Sequence, residues 1–169
     1  MNHYTMKGRC AVADQAVDAV TKYLLSQPNT IEVLSVEDKS EWQKKGIDLL
    51  WTFHYSKGNG GLTVEVKADT YFHTGNLFLE TISNMTNDTP GCFVASCADF
   101  YAYFFIGANV LYWIPLKRAQ KWLTEHGERF PIRVTSTGSA NKEFYKTQGR
   151  LVNRDILAAE VKGTKVIKL

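Results

Sequence analysis

The chain has 169 residues, 44% of them hydrophobic and 12% aromatic, which is enough for a substantial core and excludes an intrinsically disordered protein. Its most apolar stretch, residues 100–116, is short for a membrane helix and has Gly107 and Asn109 at its middle, so no membrane association is expected. Three cysteines without a CxxC pair fit neither a disulfide framework nor a zinc site. A soluble protein of the reducing cytoplasm is therefore expected.

The net charge of +3 is unevenly distributed along the chain. Residues 1–85 carry 8 Lys/Arg and 10 Asp/Glu, whereas residues 86–169 carry 12 and 7. An acidic half can hold a metal ion and a basic half can hold phosphate, although many solvated surfaces have a similar composition.

The first half of the chain predicts a helix followed by strands. Residues 10–25 have apolar side chains at positions 13, 16, 17, 20 and 24, which is helical spacing. Residues 31–37 and 47–53 are predicted strands. A turn-rich connection over 54–61 then leads to a strand at 62–67, which is expected to pair with its predecessor as a hairpin.

The second half predicts a mixture of strands and helices. Residues 100–116 form two buried strands joined by a tight turn at 107–109, and residues 115–127 form a helix with Pro near its start and Gly at its end. The remaining predicted elements are short strands at 76–80 and 132–136 and a short helix near 152–160. This order predicts a single α/β (α+β) domain, with a core at about 10–127 and a basic C-terminal extension at about 128–169.

The segment GLTVEVKAD, residues 61–69, alternates apolar and polar residues as a strand does. Glu65 and Lys67 lie on one face of that strand. In the predicted hairpin Asp48 lies opposite Glu65 in one register, or opposite Lys67 in a register shifted by two, and both place the three side chains on one face. Two adjacent carboxylates repel each other unless a cation lies between them, and Mg²⁺ prefers such oxygen ligands together with substrate phosphate.

An acid at Asp48, sixteen intervening residues and then Glu65-Val66-Lys67, all behind an amphipathic helix, resembles the PD-(D/E)XK nuclease superfamily. The likeness covers roughly residues 10–115. The wider string EVKADTYFHTGNLFLE, followed by PGCFVASCADFYAYFF, is similar to small phage- and plasmid-type members. The chain departs from the family pattern before Asp48, where Gly46-Ile47 stand in place of the usual proline.

The resemblance implies a restriction-endonuclease-like fold, with a mixed central sheet flanked by helices, and a Mg²⁺-dependent DNA endonuclease with a Holliday-junction-resolvase-like range of substrates. Asp48 and Glu65 would hold Mg²⁺, with Mn²⁺ able to substitute, and Lys67 would position the attacking water. Family members often add an acid from the first helix, for which Asp14 is a better candidate than Asp18. Glu80 is a candidate ligand or base.

DNA is the implied partner, and the resemblance also implies a homodimer. The basic residues that we predict to contact the DNA backbone are Lys117, Arg118, Lys121, Arg133, Lys146 and Arg150. Three alternatives stay open at this point. Glu65 and Lys67 can form a simple ion pair on an exposed strand. The chain can be a non-catalytic DNA-binding or assembly subunit, or a small interaction protein with no nucleic-acid partner.

Overall fold

A computed structural model describes the backbone at residues 6–139 and 142–169, and the side chains at residues 11–136 and 145–169. The helices are α1 (Met6–Leu25), α2 (Ser40–Gln43), α3 (Cys92–Ala95), α4 (Leu116–His126) and α5 (Arg154–Glu160). The first five strands are β1 (Thr30–Ser35), β2 (Leu49–Tyr55), β3 (Gly58–Asp69), β4 (Asn76–Asn84) and β5 (Thr89–Pro90). The others are β6 (Phe100–Phe105), β7 (Val110–Pro115), β8 (Ile132–Ser139), β9 (Lys142–Asn153) and β10 (Lys165–Lys168).

The larger of two sheets has six strands in the order β1-β2-β3-β6-β7-β10. Only β3 and β6 run parallel to each other, and the other neighbouring pairs are antiparallel. The smaller sheet has the order β5-β4-β9-β8 and is antiparallel throughout. The fold is thus a mixed α/β arrangement with a mixed central sheet flanked by helices, which confirms the predicted fold class.

The larger sheet buries apolar side chains on both faces. On one face α1 packs through Ala16, Val20 and Leu24, none of which is exposed, against side chains such as Val64 and Ala102. The apolar stripe of α1 follows the helical period, so this helix covers the sheet as its sequence predicts. On the opposite face the aromatic residues of β6 pack against β4, α4 and α5.

Tyr103 links the two sheets through its buried hydroxyl group. The Phe78 backbone N–H of β4 donates to the Tyr103 oxygen at 3.0 Å, and the Tyr103 hydroxyl donates to the Asp69 carboxylate at the end of β3. A buried hydroxyl is costly unless it has partners, and here both of its hydrogen-bonding capacities are used. This contact sets the position of β4 relative to β3.

The predicted elements are mostly present, with two differences. The connection predicted over 54–61 is largely strand, because β2 and β3 extend until only the turn at 56–57 separates them. Residues 128–169, which the sequence assigned to a basic extension, supply strands to both sheets: β8 and β9 lie in the smaller sheet and β10 is an edge of the larger one. No helix among the described residues is long and apolar enough to cross a membrane.

Candidate active site

The β2–β3 hairpin places Asp48 opposite Glu65, which is the first of the two registers that the sequence allowed. Leu49 pairs with Val64, and the Asp48 backbone N–H donates to the Val64 carbonyl oxygen at 2.9 Å. The Asp48 side chain is fixed as well, since its Oδ2 accepts the Val66 backbone N–H at 2.7 Å. The Asp48 carboxylate is therefore held by a backbone contact, and Glu65 is positioned by its place on β3.

The two carboxyl groups are half-buried, and the Asp48 carboxylate raises the cost of ionising Glu65. Burial, together with the nearby Asp48 carboxylate, raises the pKa of Glu65 to about 8, although Lys67 acts in the opposite direction. Burial also raises the pKa of Asp48, to about 6, against the lowering effect of the Val66 N–H. A carboxyl group in an apolar setting beside a second acid binds its proton tightly, and a bound cation would relieve the repulsion.

Lys67 lies two residues beyond Glu65 on the same face of β3, and it carries a charge. Its Nζ is 3.8 Å from Oε2 of Glu80, and the two side chains are 30% and 14% exposed. Burial alone would lower the pKa of Lys67, but Cys92, Glu80 and Glu65 around it act more strongly and the net direction is upward. The ammonium is therefore protonated at neutral pH.

Glu80 is held in place from the smaller sheet and from α3. Its Oε1 accepts the Cys92 backbone N–H at 3.2 Å. Gly91 packs directly against it, because a Cβ at Gly91 would lie 2.5 Å from the carbonyl carbon and oxygen of Glu80. Only glycine fits at position 91 without displacing β4. This close packing fixes the Glu80 backbone, and so helps to position the carboxylate that contacts Lys67.

Cys92 lies beside this group, with its Sγ 3.5 Å from the Tyr101 hydroxyl oxygen. Burial raises the pKa of its thiol to about 11, so the thiol is neutral at physiological pH. A neutral thiol is a weak nucleophile, which assigns Cys92 to the packing around Lys67 and not to the chemistry.

Glu37 is an acidic residue near the pair that the sequence analysis did not single out. It follows the end of β1, where the Val36 backbone N–H donates to the Asp48 carbonyl oxygen at 2.8 Å. Its negative charge raises the pKa of both Asp48 and Glu65. Burial raises the pKa of Glu37 itself, and the nearby Asp14 adds to that effect.

The first helix approaches the acidic group through Asp14. Asp14 is exposed on α1 and interacts electrostatically with Glu37, while Asp18, one turn further along the helix, is also exposed. The preference for Asp14 over Asp18 stays a prediction. Asp14 interacts with Glu37, and Glu37 interacts in turn with Asp48 and Glu65.

The donor set fits a hard divalent cation that keeps most of its water. Within the described part of the chain, no three His, Cys, Asp or Glu side chains are grouped closely enough to hold a metal ion by themselves. Two adjacent carboxylates are nevertheless the usual protein share of a Mg²⁺ site, since substrate phosphate and water complete the octahedron. Asp48 and Glu65 supply those two groups.

No family model, curated protein or solved structure matches this chain. Membership of the PD-(D/E)XK superfamily therefore stays a prediction from the sequence, and the arguments below depend on the chain's own geometry.

The predicted DNA-contacting residues have different surroundings. Arg150 is half-buried and donates from Nη1 to the Phe130 carbonyl oxygen at 2.8 Å, so it has a structural contact. Lys121 forms an exposed pair with Glu125, with 3.8 Å between Nζ and Oε1. The others are exposed: Lys117 and Arg118 at the start of α4, Arg133 on β8 and Lys146 on β9.

Proposed function

We propose that the protein is a Mg²⁺-dependent DNA endonuclease. The observation that carries the proposal is the closeness of Asp48, just before β2, to Glu65 on β3, with the charged Lys67 two residues further along the same face. A surface ion pair would not need two facing carboxylates in a half-buried position, because their repulsion destabilises the fold unless a cation binds.

Each of the three residues has a distinct role in this proposal. Asp48 and Glu65 hold the cation, which supplies charge neutralisation at the phosphate and a more acidic water molecule when it is bound. Lys67 orients that water and stabilises the negative charge that develops on the phosphate oxygens. Glu80 Oε2 lies 3.8 Å from Lys67 Nζ, and this ion pair restricts the directions in which the ammonium can point.

The test of this function is cleavage of DNA by the purified protein. Supercoiled plasmid and a four-way junction would be incubated with Mg²⁺ or Mn²⁺, and with EDTA as the control. We expect metal-dependent nicking, and preference for the junction would assign a resolvase-like selectivity. DNA that is bound but never cut would identify a non-catalytic DNA-binding subunit instead.

DNA is the proposed partner, and its backbone is expected to contact the exposed basic residues. The affinity for duplex DNA should fall by about 0.9 log units per log unit of salt for each phosphate contact. Arg133→Gln should lower this slope by about one contact, because Arg133 is exposed on β8. Fluorescence anisotropy over a range of NaCl concentrations measures both quantities.

Lys57→Gln is the matched control for that measurement, since Lys57 is exposed in the β2–β3 turn. If the salt dependence of DNA affinity has the same slope in the wild type and in Arg133→Gln, Arg133 does not contact the DNA backbone. The proposed homodimer is a separate matter, which sedimentation with and without DNA would decide.

A further inference from the structure

A cavity of about 370 Å³ lies at the end of the larger sheet where β7 leads into α4. One wall is aromatic: the rings of Phe100 and Trp113 are stacked, with 4.7 Å between their centroids and 20° between their planes. Phe100 is half-buried, whereas Trp113 is only 6% exposed and supports the Phe100 ring from the core, and Leu62 extends the apolar wall. A volume of this size and a flat apolar wall suit a small ligand with an aromatic ring.

The rest of the lining includes three basic side chains. Lys117 and Arg118 reach the cavity from the first turn of α4, and Lys165 reaches it from β10. Among the side chains that the structure describes, at residues 11–136 and 145–169, neither Lys117 nor Lys165 has an ion-pair partner. The acidic lining residue, Asp99, is already engaged, because its Oδ2 accepts both the backbone N–H and the hydroxyl of Thr63 at 2.8 Å.

The position of these cations on α4 is unfavourable for the helix itself. The amino end of a helix carries a partial positive charge, which favours acidic residues there. In the described chain α4 has no acidic residue in its first turn and no side-chain cap, and it places Lys117 and Arg118 there instead. The first backbone N–H of α4, that of Leu116, already donates to the Asp99 carbonyl oxygen at 3.0 Å, and a bound anion would offset the repulsion between the cations and the helix end.

We infer that this cavity binds a phosphorylated nucleotide, with the base against Phe100 and the phosphate between Lys117 and Lys165. Arg118 adds charge beside them, while its Nη1 donates to the Lys162 carbonyl oxygen at 2.9 Å. The site is separate from the acidic pair. Leu62 and Glu65 are three residues apart on β3 and so face opposite sides of the sheet, about 10 Å apart along the strand. The inference goes beyond the proposed nuclease function and does not depend on it.

The test is calorimetric titration of the protein with 2′-deoxyadenosine 5′-monophosphate at low salt. The double variant Lys117→Gln/Lys165→Gln should bind it at least about tenfold more weakly, since hydrogen bonds to charged groups are lost. The control Lys22→Gln/Lys57→Gln removes two exposed lysines elsewhere and should bind as wild type does. Equal affinity in both double variants, or no binding to wild type at millimolar nucleotide, would overturn the site.

Two further ligands separate the two walls of the cavity. Inorganic phosphate and deoxyadenosine should each bind more weakly than the complete nucleotide. If phosphate binds as tightly as the nucleotide, the aromatic wall does not contribute to binding. Phe100→Leu keeps the apolar character of the wall and should weaken the nucleotide more than phosphate. Asp48→Asn should leave nucleotide binding unchanged, so loss of nuclease activity and loss of this site are distinguishable.

The same chemistry is present in a free mononucleotide and in single-stranded DNA. An eight-residue deoxyadenosine oligonucleotide that displaces the mononucleotide would identify single-stranded DNA as the source. Mononucleotide binding that resists such displacement would identify the free nucleotide, and both outcomes support the assignment of the cavity.

Discussion

Lys67→Ala is expected to slow DNA cleavage by about 10²–10³-fold while Mn²⁺ affinity changes little. The ammonium acts on charge that develops during the reaction, so its loss appears in the chemical step. Asp48 and Glu65 stay in place, because backbone contacts hold the hairpin and Asp48 Oδ2 keeps its bond to the Val66 N–H. Single-turnover cleavage and Mn²⁺ calorimetry on the same preparations measure the two effects separately.

Lys57→Ala is the control, since Lys57 is an exposed lysine in the turn of the same β2–β3 hairpin. Lys67→Arg is expected to rescue little, because a planar guanidinium replaces a compact charge. Glu80→Gln keeps the ammonium and should cost less than Lys67→Ala. Cleavage by Lys67→Ala at the wild-type rate would show that Lys67 has only a structural role, in its ion pair with Glu80.

Glu65→Gln is expected to abolish Mn²⁺ binding and to stabilise the metal-free protein at alkaline pH. Folding raises the pKa of Glu65 from 4.5 to about 8, so the wild type loses stability progressively as pH rises between these values. Glutamine cannot ionise and escapes this loss. At pH 8.5 the free energy of unfolding of the variant should exceed that of the wild type by more than about 1.4 kcal/mol, which is the equivalent of one pKa unit. This difference should shrink toward pH 5.

Urea unfolding in EDTA at both pH values measures this free-energy difference. Glu32→Gln is a suitable control, because Glu32 is an exposed strand residue of the same sheet. Metal binding to the wild type at pH 7 should release a proton, since the cation displaces it from the acidic pair, and titrations in two buffers of different ionisation enthalpy count it. Wild-type Mn²⁺ affinity in Glu65→Gln, or a variant less stable than wild type at pH 8.5, would contradict the assignment of Glu65.

Local sequence was sufficient to predict the hairpin and its acidic pair. The alternation through Glu65 and Lys67 assigns their common face, and pairing of two adjacent strands admits few registers, so the register of the structure is one of the two that the sequence allowed. The helix α4 was predicted for a similar reason, since Leu116, Ala119, Trp122 and Leu123 recur at helical spacing and are buried. Periodicity within one segment carries this information.

The features that sequence analysis missed depend on contacts between distant segments. Glu37 lies near the pair because β1 pairs with β2, and the end of β1 carries no local signal of a site. The strand β9 interrupts its alternation at Gly149, where a Cβ would lie 2.6 Å from the Phe78 ring, so its pattern is weak. Glycine is required there by tertiary packing, which a single sequence does not reveal.

The two halves of the candidate site form at different times, because Glu80 depends on the pairing of β4 with Gly149 of β9. Asp48 and Glu65 belong to one hairpin and can meet as soon as that hairpin forms, because few residues lie between them. The position of Glu80 depends on β4, which pairs with β9 through Gly149, 69 residues further along the chain. A nascent chain on the ribosome would therefore carry the acidic pair before the Lys67 ammonium is anchored. Cleavage by the proposed nuclease should accordingly begin only after β9 has emerged and paired with β4.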